Sequence, residues 1–294
     1  DEEITLDDVL ISTRRVEGDD SRDNHRTADS TGQSGDITLK APQISLKNGS
    51  ALLAHGDGYP GANTGGTISL TAHDTQHTPV FGMLSDPSVK ISLDNSVLKG
   101  GSIDLSATAD DKFKYSEDHE SINTALGVVE GQVPIPGGGF TISNATAAVD
   151  IKNDSVLAAE KDLSVASTST SNATLKVDST GAGFVYGESN SSATIDVGAA
   201  DIEARKGDIT LKTDADSTLT ATVKTSNTGK TNPLPKNANK YVDIAGAWGT
   251  GELVSQSIVG PEAELDAGKD VQVSAHGRKN AAVTAEAGVY DDGT

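Results

Sequence analysis

The chain has 294 residues, long enough for one or two ordinary globular domains or one elongated one, but its composition argues against a bulky core: aromatic residues make up 3%, with one Met and one Trp against 31 Gly. A formal net charge of -20, from 43 acidic and 23 basic residues, disfavours a phosphate backbone or an anionic membrane as partner. With no cysteine, disulfide staples and thiolate metal sites are excluded.

Hydrophobic residues at 35% are too regularly placed for a disordered chain. No run has the length of a transmembrane helix, so no membrane insertion by this segment is expected, and no basic, then apolar, leader opens it. Because it begins on Asp1 and stops mid-pattern on Thr294, the chain reads as an excised or processed segment, with secretion and anchoring signals elsewhere. The acidic surface keeps a long chain soluble and can collect Ca2+ weakly; no cofactor is implied.

In chain order, one phrase recurs. Gly35-Asp36-Ile37-Thr38-Leu39 is followed by Gly66-Thr67-Ile68-Ser69-Leu70 and Gly101-Ser102-Ile103-Asp104-Leu105, then by Asp162-Leu163-Ser164-Val165, Asp208-Ile209-Thr210-Leu211 and Asp270-Val271-Gln272-Val273. Apolar residues alternate with polar ones after a turn-forming Gly or Asp, which predicts strands with one buried face. Similar strands lie between them, at Ile44-Leu46, Val89-Leu93, Val149-Ile151 and Ile195-Val197, and no helical period occurs. Strands of three to five residues, about 20 to 25 residues per rung and about 4.8 Å per rung predict on the order of a dozen rungs.

Residues 1–100 read as less regular rungs and 101–294 as about three longer super-repeats continuous with them. Each long unit, with starts placed at Asp104, Asp162, Asp208 and Asp270, passes through a Ser/Thr/Asn/Ala-rich stretch to a glycine phrase: Gly127-Gly131, Gly183-Gly187, Gly246-Gly249 and Gly288-Tyr290. Two proline-bearing inserts interrupt the units, Val133 to Gly139 with Pro134 and Pro136, and Gly229 to Asn239 with Pro233 and Pro235. Proline cannot donate to a ladder, so both are expected to project as loops and to carry recognition.

Gly35 to Leu39, Asn48-Gly49-Ser50-Ala51-Leu52-Leu53-Ala54 and Gly65 to Ala72 together resemble the repeats of large filamentous-haemagglutinin-like bacterial exoproteins, and the later Ala-Thr-Ile-Asp-Val and glycine phrases are similar to those of giant surface adhesins. The resemblance implies a right-handed parallel β-helix, or β-solenoid, with irregular loop insertions, exported to the bacterial cell surface for attachment, aggregation or biofilm matrix. Its implied partners are a host or neighbouring-cell surface glycan or protein, or a second copy by self-association. Asn232-Pro233-Leu234-Pro235 matches the family's secretion element only superficially, and nonapeptide calcium repeats do not occur.

Chemistry-bearing clusters are few. Asp110-Asp111, Glu117-Asp118-His119-Glu120 and Asp291-Asp292 read as solvated turns, and His73-Asp74-Thr75-Gln76-His77 as a loop with incidental histidines. Gly137-Gly138-Gly139 reads as a flexible turn, and no nucleophile elbow, phosphate loop or HExxH helix occurs, so neither an enzyme nor a metal site is expected. Tyr186, Trp248 and Tyr290 fall at related places in successive glycine phrases and predict a ladder. Its rings either fill the coil's interior, the favoured reading, or stack outward on sugars or a neighbouring fibre.

Overall fold

The computed structural model describes residues 3–13, 34–55, 65–77, 84–118, 137–179, 182–225 and 244–287, excepting the side chains of Gln76, His77, Glu117 and Asp118. The described residues are all-β, in three parallel sheets through which the chain passes in rotation, as in a β-solenoid. Sheet A holds β1 (Glu3–Asp7), β4 (Gln43–Lys47), β7 (Leu84–Ser85) with β8 (Ser88–Asp94), β11 (Gly137–Lys152), β14 (Ala182–Val197), and β17 (Ile244–Thr250) with β18 (Leu253–Val259). Sheet B holds β2 (Leu10–Ser12), β5 (Ala51–Ala54), β9 (Val97–Gly100), β12 (Ser155–Ala159), β15 (Ala200–Ala204) and β19 (Ala263–Ala267). Sheet C holds β3 (Ile37–Lys40), β6 (Thr67–His77), β10 (Ser102–Asp118), β13 (Leu163–Ser179), β16 (Ile209–Thr225) and β20 (Val271–Ala287).

These make six coils, not a dozen rungs. The expectation failed because the Ser/Thr/Asn/Ala-rich stretches do not leave the sheet: they prolong the recurring strands to 17 residues in β10, β13, β16 and β20. Such a strand runs about 55 Å, whereas six coils rise only about 24 Å. The change of style near residue 100 coincides with this lengthening, and the ladders cross it unbroken.

Beside the short sheet B, inward side chains from all three sheets close an aliphatic prism. Ile91, Val149 and Ile195 share one register column, Leu98, Leu157 and Ile202 another, and Leu105, Val165 and Leu211 a third. All nine are fully or almost fully buried. Each such side chain contributes about 1.5–3 kcal/mol by leaving water. Ile103, Leu163, Ile209 and Val271 are likewise in register, so Asp104 aligns with Ser164 and not, as the unit starts implied, with Asp162.

Beyond the prism, among the described residues, only sheets A and C remain, facing one another across small residues. Ser167 and Ser169 of β13 donate to the Ala147 and Ala145 carbonyls of β11, and Ser191 of β14 donates to the Ser169 carbonyl. At the far end a second apolar cluster forms from Ala173, Leu175, Val177, Val185, Leu219, Ala221 and Val223. A core with Ser and Ala along its middle needs few aromatics, which accounts for the composition.

The corner from sheet A to sheet B is tight. Asp8, Asn48, Asn95 and Asn153 occupy it with φ of 53°, 55°, 48° and 55°, the left-handed region that Asn and Asp tolerate best among residues with a side chain. The corner entering sheet C brings backbones of adjacent coils together: a Cβ on Gly66 would lie 2.2 Å from the Gly35 carbonyl oxygen.

Candidate functional site

The aromatic residues mark the first candidate. β11, β14 and β17 pair so that Phe140, Tyr186 and Trp248 share one register column, and two residues earlier Gly138, Phe184 and Gly246 share the next. Alternation along β14 sends Gly183, Val185 and Gly187 inward, so Phe184 and Tyr186 point outward. Trp248 is 72% exposed, Phe184 57% and Phe140 40%. The favoured interior reading of Tyr186 and Trp248 is therefore corrected: the glycines hold the inward places, where Leu175, Leu219 and Val223 already fill the space.

The Phe140 and Tyr186 rings stack with centroids 5.5 Å apart and planes at 18°. Phe184 leans over Gly246, where a Cβ would come within 2.8 Å of its ring, so the glycine lets the ring settle against the sheet. A shallow recess of about 400 Å³ is lined by Gly139, Phe184, Val185, Tyr186, Gly246 and Trp248.

A polar row borders the rings. The Tyr186 hydroxyl donates to Glu188 Oε2 at 3.0 Å, and Asn190 Nδ2 donates to Glu188 Oε1 at 2.7 Å and to Asn144 Oδ1 at 2.8 Å. The Glu252 amide in turn donates to Asn190 Oδ1 at 2.7 Å. These bonds fix Glu188 and Tyr186 and leave carboxylate and amide lone pairs beside the aromatic column.

Phe140 and Phe184 went unrecognised in the sequence. Gly137-Gly138-Gly139 is not a flexible turn but the start of β11, paired with Gly183, Phe184 and Val185. Aligning Gly139-Phe140-Thr141 with Val185-Tyr186-Gly187 would have found the ring. The phrase at Gly127 to Gly131, Tyr290, Pro134, Pro136, Pro233 and Pro235, with the rest of the second insert, lie outside the described residues.

The acidic and histidine clusters also differ from expectation. Asp110 and Asp111 sit within β10, not in a turn: Asp110 faces outward and pairs with Lys112 at 2.6 Å, whereas Asp111 is fully buried between sheets A and C. Asp111 accepts bonds from Ser85 at 2.9 Å and from Ser143. The chain of hydroxyls continues from Ser143 to Ser171 and from Ser171 to Ser189, each at 2.8 Å, and on to Ser217 at 3.1 Å. Burial pushes the Asp111 carboxyl above the ordinary aspartate range, outweighing the two hydroxyl donors; the charges of Asp110 and Asp86 push the same way.

His73 to His77 form the end of β6 rather than a loop, and His73 Nε2 lies 2.9 Å from the Thr75 hydroxyl. The strand carries on because β6 stays in register with β10 as far as Lys112. Glu117 and Asp118 end β10, and His119, Glu120, Asp291 and Asp292 lie outside the described residues. Among the described residues no three His, Asp or Glu side chains gather as a metal site would require. No family model matches the chain, and neither a curated protein nor a solved structure does.

Proposed function

We propose that the chain is a structural and adhesive segment of a secreted fibre on a bacterial cell surface, coiled as a right-handed parallel β-helix with irregular loop insertions. The observation that carries this reading is the outward column of Phe140, Tyr186 and Trp248 on a ladder of parallel strands. A coiled ladder repeats surface chemistry at about 4.8 Å along one face, which suits multivalent attachment to a cell-surface glycan or protein. The test is attachment of chain-coated beads to host epithelial cells and to bacteria. Binding above that of beads carrying an unrelated β-rich protein is expected, and equal binding overturns the reading.

A self-associating filament is the second reading, favoured by the exposed apolar rings of the same column, against which a second copy can pack. Electron microscopy of the purified chain decides, since filaments longer than one chain would favour assembly over attachment. A polysaccharide-processing enzyme would release reducing ends from acidic polysaccharides, and such release would replace the adhesive reading.

A further inference from the structure

We infer that the outward aromatic face of sheet A is a glycan-binding platform for neutral, β-linked pyranose chains. The inference rests on the adhesive reading and names its ligand class. Three features of the face select this chemistry.

The first is shape. Phe140, Tyr186 and Trp248 are spaced by the ladder at about 4.8 Å per strand, and Phe184 stands two residues along β14 from Tyr186, about 7 Å away. Phe140 and Tyr186 stack on each other, so the more exposed Phe184 and Trp248, which flank the recess, offer the free aromatic surface to a sugar. Phe184, lowered onto Gly246, keeps 57% of its surface exposed. A pyranose with equatorial substituents offers a flat face of C–H groups, which packs on the electron-rich face of an aromatic ring.

The second is the border. Glu188, Asn190, Asn144 and Thr250 run alongside the column, and Glu188 is already held by Tyr186 and Asn190. Sugar hydroxyls are donors and acceptors, and this row supplies carboxylate and amide oxygens beside a sugar seated in the recess between Phe184 and Trp248. An aliphatic partner would leave those groups without water or a bond, at a cost that a hydroxylated one avoids.

The third is charge. Along the outward positions of the platform, from Gly138 to Asn144, Phe184 to Asn190 and Gly246 to Glu252, the charged residues are Glu188 and Glu252. With a net charge of -20 behind them, they repel uronic acids and sulfated sugars and admit neutral ones.

The single tryptophan makes the test direct, because fluorescence from the full chain, excited where tyrosine does not absorb, reports Trp248 alone. Cellotetraose and tetra-N-acetylchitotetraose are titrated to about 10 mM, where a Kd of about 1 mM would be near saturation, with trigalacturonate as the acidic comparison. The expected result is a blue shift of Trp248 emission with at least one neutral tetrasaccharide and none with trigalacturonate. By calorimetry, Phe184→Ala and Tyr186→Ala should each weaken binding about tenfold, and Phe184→Tyr should retain it. Circular dichroism identical to the parent's establishes that a weakened variant is folded.

No shift and no heat with either neutral sugar overturns the platform, as does equal binding of trigalacturonate. Concentration-dependent dimerisation abolished by Trp248→Ala would also overturn it, in favour of a second copy as occupant. If coated beads still attach while the sugars do not bind, the platform falls and the adhesive reading stands. If the sugars bind while the beads do not attach, the platform stands and the adhesive reading falls.

Discussion

Sheets A and C face each other along their whole length, yet two chemistries fill the space between them. Near sheet B the filling is aliphatic, with columns such as Leu105, Val165 and Leu211. Farther along it is hydroxylic, with the run Asp111, Ser143, Ser171, Ser189 and Ser217. The prism has three walls and room for branched side chains, whereas the middle of the slab has two and closes on serine, branched residues returning beyond it opposite inward glycines. Packing volume decides the first region, and completeness of hydrogen bonding decides the second.

The comparison can be broken from either side. The largest effect is expected in the prism: Leu211→Ala opens a cavity in a fully buried column and should cost about 2–5 kcal/mol, read as a lowered urea midpoint. In the slab, Ser171→Ala leaves the same volume nearly filled but removes the donor to the Ser143 carbonyl and the link from Ser143 to Ser189. A loss of about 1–3 kcal/mol is expected. If both substitutions cost the same, the two regions do not differ as argued.

Asp111 sharpens the contrast through pH. Burial raises its pKa in the folded chain, so its contribution is full below the unfolded value of about 3.9 and is lost as pH rises through the raised folded value. Asp111→Asn removes that loss. The urea midpoint of the variant minus that of the parent should therefore increase between about pH 3 and pH 7, and a constant difference would show that the carboxyl is not desolvated. The smallest effect belongs to the surface: Lys90 meets Asp150 at 2.7 Å, and Lys90→Ala should cost less than about 1 kcal/mol in the same denaturation.

What could be read in advance follows the same division. The prism strands were legible because Ile37-Thr38-Leu39 and Ile209-Thr210-Leu211 alternate apolar with polar residues. The slab was not, because Ser167, Ser169 and Ser171 point inward while Thr168, Thr170 and Asn172 point outward, and polarity is then the same on both faces. That hid the true strand length and doubled the expected number of coils. Of the site, Tyr186 and Trp248 were found through their glycines, but their direction was misjudged. Inward glycines mark places where the opposite sheet needs room, so the aromatic next to one has only the outer face left to occupy.

The left-handed corner between sheets A and B has one more consequence, for how such a chain can change over generations. Two residues join Asp7 to Leu10 and Asp94 to Val97, but three join Lys47 to Ala51 and Lys152 to Val156, and both sheets keep their register, so the left-handed residue there absorbs a single added residue. Between sheets C and A the connecting sequence varies freely, from the residues between Ser179 and Ala182 to those between Thr225 and Ile244. Doubling the length of such a connection costs only about 0.6 kcal/mol in closure entropy. One corner therefore admits single-residue changes only, and the opposite edge is where longer new sequence can be tried without losing the old.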